Sequence, residues 1–262
     1  MVQRSPIINV MAKAAQKAGR KLVRDFGEVE NLQVSMKGPA DFVSAADKSA
    51  EEILHRELSE ARPGYGFLME EAGAIVGTNA DNRWIIDPLD GTTNFLHGIP
   101  HFAISIALER EGDLIAGLIY QPVSDEMFWA ERGQGARLNG HRLRVSARRR
   151  IEDSVIATGI AGLDVEAHAV FQRELAAVMG IAAGVRRFGA AALDLAYVAA
   201  GRFDGFWESA LHPWDIAAGI VLVREAGGFV SDMTGKGDML KTGGVLATND
   251  HLQTPLSKIL RQ

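Results

Sequence analysis

The chain contains no cysteine. That excludes disulfides, thiolate-ligated metals and cysteine nucleophiles together. No apolar run approaches the roughly 18 residues of a membrane span. The opening stretch MVQRSPIINVMAKAAQKAGR lacks the unbroken apolar segment of a secretory leader and carries charges throughout, so a cytoplasmic location is expected. There is no basic excess: 28 Lys and Arg stand against 33 Asp and Glu, for a net charge of -5. Such a balance argues against nucleic acid or an anionic membrane as the default partner. Internal repeats, low-complexity tracts, a Walker-type phosphate loop and a Gly-x-Ser-x-Gly elbow are also missing.

What is present is a globular composition, 47% hydrophobic and 23% charged over 262 residues, enough to bury a sizeable core. Apolar positions from Ile7 to Phe26 follow helical spacing. A second helix is expected from Ala45 to Ala61, stopped by Pro63-Gly64. Trp84-Ile85-Ile86 reads as a short buried strand. Phe102 to Leu108 and Leu114 to Tyr120 face each other across a polar turn as a hairpin, with Glu126 to Ala130 as a further antiparallel strand. Beyond Ile151, short strands at 155–157, 205–207, 229–231 and 245–247 alternate with helical stretches near 167–179, 190–200, 214–226 and 250–260. The expected division is an α+β part over 1–148 with an antiparallel sheet, and an α/β part over 149–262, forming one compact unit.

Acidic residues stand where elements end: Glu70-Glu71, Asp87, Asp90 and Asp215. Adjacent carboxylates repel unless a cation neutralises them. In Asp87-Pro88-Leu89-Asp90-Gly91-Thr92-Thr93, Pro88 stiffens the chain and Gly91 permits a backbone conformation other residues resist. Thr92 and Thr93 can start a helical turn whose free N–H groups suit an anion. Oxygen ligands without His or Cys favour magnesium over zinc. Each feature has a plainer alternative: two surface glutamates, an Asx turn capping a helix, and, for Asp215, an ordinary helix cap. His97 and His101 have zinc-like spacing, but Pro100 interrupts any helix that would align them.

Taken together the motifs resemble the inositol monophosphatase family of the lithium-sensitive metal phosphatases. The resemblance rests on Trp84-Ile85-Ile86-Asp87-Pro88-Leu89-Asp90-Gly91-Thr92-Thr93-Asn94-Phe95 and on Trp214-Asp215-Ile216-Ala217-Ala218-Gly219 with Glu225-Ala226-Gly227-Gly228. It extends to Lys37 through Asp47, Glu70-Glu71, Gly189 through Tyr197 and Glu208, and so covers nearly the whole chain. It implies a layered αβαβα sandwich and a homodimer. It also implies two or three Mg2+ ions on Glu70, Asp87, the Leu89 carbonyl, Asp90 and Asp215. Phosphate would rest on the amides of Gly91 and Thr92. The Thr92 hydroxyl, backed by Glu70 and Asp47, would orient the attacking water. Glu208, Ala191 and Arg186 would meet the hydroxyl-bearing part of the substrate. Met69 departs from the glycine usual before the paired glutamates, and is expected to reshape the loop that follows.

The activity expected is hydrolysis of a small phosphorylated polyol, foremost myo-inositol monophosphate, by direct attack of a metal-activated water. Fructose 1,6-bisphosphate, histidinol phosphate and nucleotide 3′-phosphates are the competing substrates within that family. A haloacid-dehalogenase-type mechanism fails because one residue separates its two aspartates, whereas two residues separate Asp87 from Asp90. A non-enzymatic alternative is a partner of the transcription machinery, using Arg137, Arg142, Arg144 and Arg148-Arg149-Arg150 to touch RNA or an acidic protein. Those arginines lack interleaved aromatics, which favours a solvated face instead.

Overall fold

A computed structural model describes residues 4–28, 34–38, 41–160 and 165–261, with 34–38, 41–44 and 165–167 described by their backbone alone. Pro39 and Ala40, within the Lys37–Asp47 motif, lie outside the described residues.

Helix α1 (Pro6–Phe26) begins where Ser5 accepts the Ile8 N–H at 3.2 Å and Pro6 occupies its first turn. A hairpin of β1 (Val34–Gly38) and β2 (Asp41–Ser44) leads into α2 (Ala45–Ala61). Then come β3 (Tyr65–Met69), β4 (Gly73–Ile75), β5 (Asn79–Asp90) and the short α3 (Thr92–Leu96). The meander β6 (Ala103–Arg110), β7 (Asp113–Gln121), β8 (Glu126–Glu131), β9 (Gly135–Leu138) and β10 (His141–Arg142) follows. These strands form one eight-stranded sheet in the order β10-β9-β8-β7-β6-β5-β3-β4, in which β3 and β5 alone run parallel.

The rest of the chain builds a five-stranded sheet from β11 (Val155–Thr158), β12 (Gly184–Arg186), β13 (Gly205–Glu208), β14 (Phe229–Ser231) and β15 (Val245–Thr248), ordered β12-β11-β13-β15-β14. Its helices are α4 (Val165–Met179), α5 (Ala191–Ala199), α6 (Pro213–Glu225), α7 (Met239–Thr242) and α8 (Asp250–Leu260).

Alternation along the strands sorts these elements into layers. Trp84 and Ile86 of β5 enter the core shared with α1 and α2, whereas Ile85 enters the core shared with α5 and α6. In β13, Phe206 faces α5 and α6, and Trp207 faces the outer core with Leu252 and Leu256 of α8. The result is the expected αβαβα sandwich, with α5 and α6 held between the two sheets. Small residues permit that filling: a Cβ on Gly117 of β7 would lie 2.5 Å from the Ala218 carbonyl of α6, so helix and sheet meet at a distance only glycine allows. No described helix is long and apolar enough to cross a membrane.

The first two helices, the hairpin and the strands of the second part stand where periodicity put them. Two features differ. Strand β5 begins at Asn79, five residues before Trp84, and the Asp87–Asp90 segment is the end of that strand, with its pairing to β6 shifted between Asp87 and Asp90. Pro88 has no N–H to give the ladder, which accounts for the irregularity there. The arginine-rich link is also partly tied down. Arg148 pairs with the fully buried carboxylate of Asp204 at 3.1 Å, and Asp204 also accepts the Val155 N–H. Arg150 lies beside Glu152 and Asp153, and Arg137 sits over the Trp129 ring.

Candidate active site

The two alternations that sort the layers also aim the acids. Asp87 follows Ile85 by two residues and so shares its inner face. Glu208 follows Phe206 by two and shares the inner face of the second sheet. Between them stand the first turns of α5 and α6, whose N-terminal ends carry partial positive charge. Each takes hold of one aspartate. Asp90 Oδ2 accepts the Ala192 N–H of α5 at 2.9 Å. Asp215, at the third position of α6, turns back to accept the His212 N–H at 2.7 Å in a capping box. The capping reading of Asp215 is therefore correct as far as it goes, yet the same carboxylate also lies within hydrogen-bond reach of Asp87.

The electrostatics follow from this crowding. Burial first, then the charges of Glu70, Asp90, Asp215 and Asp47, push the Asp87 carboxyl well above its ordinary range. Burial and then Asp215 do the same to Asp90, with Glu208 and Glu70 adding to it and the Ala192 N–H opposing. Burial raises Asp215 to about 6 despite the His212 contact, and burial with Asp215 raises Glu208 to about 8. Carboxylates from distant segments of the chain thus press on one another in one place. Among the described residues no three His, Asp or Glu side chains stand in a ready-made coordination arrangement. What the chain supplies is a concentration of hard, anionic oxygen donors whose repulsion a divalent cation would relieve. The donor set fits magnesium on that ground.

The turn expected to seat a phosphate is local to α3. Gly91 caps it at φ +90°, and Thr92 Oγ1 donates to the Leu89 carbonyl at 2.9 Å. That bond uses one of the two lone pairs of Leu89 O and leaves the other for a cation. A Cβ on Gly91 would meet the His101 carbonyl at 2.9 Å and the Ala190 side chain at 3.3 Å. Gly91→Ala is therefore expected to cost about 2 kcal/mol from the left-handed backbone and the contact together. Thermal denaturation checks this, and an unchanged Tm would show that the turn relaxes freely. Asn94 locks the same turn to the second part of the chain by donating to the carbonyls of His101 and Phe188, each at 2.8 Å.

The expected residues are distributed as follows. Glu70, Asp87, Leu89, Asp90, Gly91, Thr92 and Asp215 gather at the ends of β3 and β5 and the start of α6, with Asp47 of α2 adding its charge to those facing Asp87. Ala191 opens α5, beside the Ala192 amide that binds Asp90. Glu208 closes against Gly159, where any side chain would run into its carboxyl. Arg186 is exposed on β12 and donates to the Val185 carbonyl at 2.9 Å. Its neighbour Arg187 is the cation whose charge reaches Glu208 and Asp194. Met69 is buried in the α1/α2 core and opposes Ile86 and Gly73 across the sheet, so it fastens the start of the loop. His97 is exposed at the end of α3, whereas His101 packs against Phe188 and Tyr197, which leaves the two apart in role.

Sequence reasoning gives Asp194 no role. It is 1% exposed, neither carboxyl oxygen has a hydrogen-bond partner, and burial with the charges of Glu208 and Asp90 raises it well above its ordinary range. The one signal it leaves in the sequence is a single carboxylate within the apolar run Ala191–Ala199.

The profile of a family described as "Inositol monophosphatase family" matches residues 3–262. An inositol-1-monophosphatase of Mesorhizobium japonicum is 61% identical over 259 residues, spanning 99% of this chain and 97% of that protein. The Nus factor SuhB of Escherichia coli is 44% identical over 244 residues, spanning 93% and 91%. Among solved structures, that of the extragenic suppressor protein suhB from Bartonella henselae superposes with a TM-score of 0.96 at 59% identity, covering 98% of this chain and 99% of the other.

Proposed function

Because the chain belongs to the inositol monophosphatase family, we propose that it is a magnesium-dependent hydrolase of small phosphate monoesters, with inositol monophosphate as its main substrate. The observation that best supports this reading is the convergence of Glu70, Asp87, Asp90 and Asp215 beside the Gly91–Thr92 turn. Glu70, Asp87, the Leu89 carbonyl, Asp90 and Asp215 would hold the cations. Bound magnesium supplies charge neutralisation at the phosphoryl oxygens and acidifies water.

The chain's own groups do the rest. The Gly91 and Thr92 amides seat the phosphate, anchored by the Asn94 bonds that fix the turn. The Thr92 hydroxyl and Glu70 orient a water in line with the leaving oxygen, and Asp47 supports them from behind. Glu208 and Ala191 face the alcohol, where the carboxyl of Glu208, raised to about 8, can exchange hydrogen bonds with hydroxyl groups in either protonation state. The aspartates bind and do not attack, so no phosphoaspartate forms, and a trapped one would overturn this mechanism. Sensitivity to lithium, a homodimeric assembly and a cytoplasmic setting complete the reading, on the ground of family membership.

The test of substrate is a panel of inositol 1-phosphate, fructose 1,6-bisphosphate, histidinol phosphate and glycerol 2-phosphate assayed with magnesium. The expected result is the highest kcat/KM for inositol 1-phosphate. A higher value for the bisphosphate or for histidinol phosphate would reassign the substrate within the family.

A second reading is a role beside the transcription machinery, favoured by the relative named a Nus factor. Arg142, Arg144 and Arg149 are exposed and could meet RNA, whereas Arg148 and Arg150 are engaged by acidic neighbours. No shift of ribosomal leader RNA at low salt would retire the RNA form of this idea.

A further inference from the structure

Glu70 is the one proposed ligand that sits on a hairpin turn rather than within a strand or helix. It is followed by Glu71 and Ala72, and β4 starts at Gly73, so three residues connect β3 to β4. So short a connection has few ways to hold a carboxylate still. On its N-terminal side the turn is fastened by Met69, buried and paired in the sheet. On its C-terminal side the fastening comes from outside the sheet. Glu51 of α2 accepts the Glu71 N–H through Oε2 and the Ala72 N–H through Oε1, each at 2.9 Å. Glu51 is 5% exposed, while its neighbour Glu52 is in solvent. A buried carboxylate receiving two backbone N–H groups makes a stronger, better-oriented pair of bonds than neutral acceptors would.

We infer that Glu51 is a positioning residue for the reaction: its carboxylate grips the two amides after Glu70 and thereby fixes where the Glu70 side chain enters the site. Glu51 lies one helical turn beyond Asp47 on the buried face of α2, so a single helix carries the acid behind the site and the clamp that aims the turn. The clamp touches no substrate and works only through Glu70. It rests on the proposed phosphatase reading for its catalytic consequence, but its structural content stands apart from that reading.

Three variants and three readouts test it. Glu51→Ala removes both bonds. Glu51→Gln keeps one acceptor and turns an amide donor toward the other N–H. Glu57→Gln, on the same helix and paired with Lys17, controls for a general loss of stability. The expected result is a fall in kcat of about 100-fold for Glu51→Ala and about tenfold for Glu51→Gln, with KM changed less than threefold. Glu57→Gln should lower Tm and keep kcat within twofold. In metal-free protein, amide exchange at Glu71 and Ala72 should accelerate at least tenfold in both Glu51 variants and stay unchanged in Glu57→Gln. A kcat within twofold of wild type in folded Glu51→Gln and Glu51→Ala overturns the proposal. Should the wild type hydrolyse no phosphate monoester, the functional reading fails instead, and unaccelerated exchange at the two amides is then the result that overturns the clamp.

Discussion

Asp90→Asn should abolish magnesium-dependent turnover, by on the order of 10³-fold, and at the same time make the metal-free protein more resistant to heat. The two effects have one cause. Asp90 is buried and faces Asp215, Glu208 and Glu70, all of which raise the cost of its negative charge. Asparagine has nearly the same shape and can still accept the Ala192 N–H through its carbonyl oxygen, so the start of α5 keeps its anchor. What disappears is the charge, which the site needs for cations and which destabilises the metal-free fold. Asp90→Ala separates the contributions: it also removes the charge but strands the Ala192 N–H, and should be less stable than Asp90→Asn by roughly 1–3 kcal/mol. Steady-state kinetics with magnesium and thermal denaturation in chelator measure both. Near wild-type turnover in Asp90→Asn would refute the ligand assignment.

The second large effect is on the pH dependence of stability. Glu208 has an ordinary value of 4.5 and a folded value of about 8, and Asp215 moves from 3.8 to about 6, with Asp87, Asp90 and Asp194 raised in the same direction. Between the unfolded and folded values the native state binds more protons than the unfolded chain. Stability must therefore fall as pH rises through that window. In chelator the protein should be most stable near pH 5 and lose on the order of several kcal/mol by pH 8.5, since raising one carboxyl pKa by a single pH unit is worth about 1.4 kcal/mol. For a chain of this size that is a drop in Tm of about 10 °C. Acids held below their ordinary range, such as Glu57 beside Lys17 and Asp232 with its surrounding N–H groups, weaken the fold only below about pH 4 and leave the window clear. Magnesium should flatten the slope, because cations take over the neutralisation that protons provide. A Tm in chelator that stays level or rises from pH 5 to 8.5 would contradict the crowding described at this site.

Much of this is legible in the chain itself. Helical spacing marks α1 and α2, and the Pro63-Gly64 stop lies just beyond the end of α2. The β6–β7 hairpin announces itself by alternation across a polar turn. The start of β5 does not, because Asn79 to Asn82 is polar and joins the sheet through backbone pairing, which leaves no mark on hydropathy. Likewise the Asp87–Asp90 segment looks like a loop because proline and glycine punctuate it, while in space it is a strand end bent by a proline. Within the site, Glu51 and Glu52 are indistinguishable as letters; only packing turns the first inward. Arg186 and Arg187 pose the same difficulty at the end of β12, where successive residues point opposite ways and the choice depends on where the strand stops. Asp194 is visible as a lone acid in an apolar helix, but its approach to Glu208 requires β13 and α5 to be placed side by side.

If buried acids from distant segments form one cation-dependent phosphatase site, phosphate release from inositol 1-phosphate by the purified full chain is the most direct test of it. The predicted result is turnover with magnesium that vanishes in chelator and returns when magnesium is restored. Turnover that persists undiminished in chelator, or its absence at every magnesium concentration, would contradict that site.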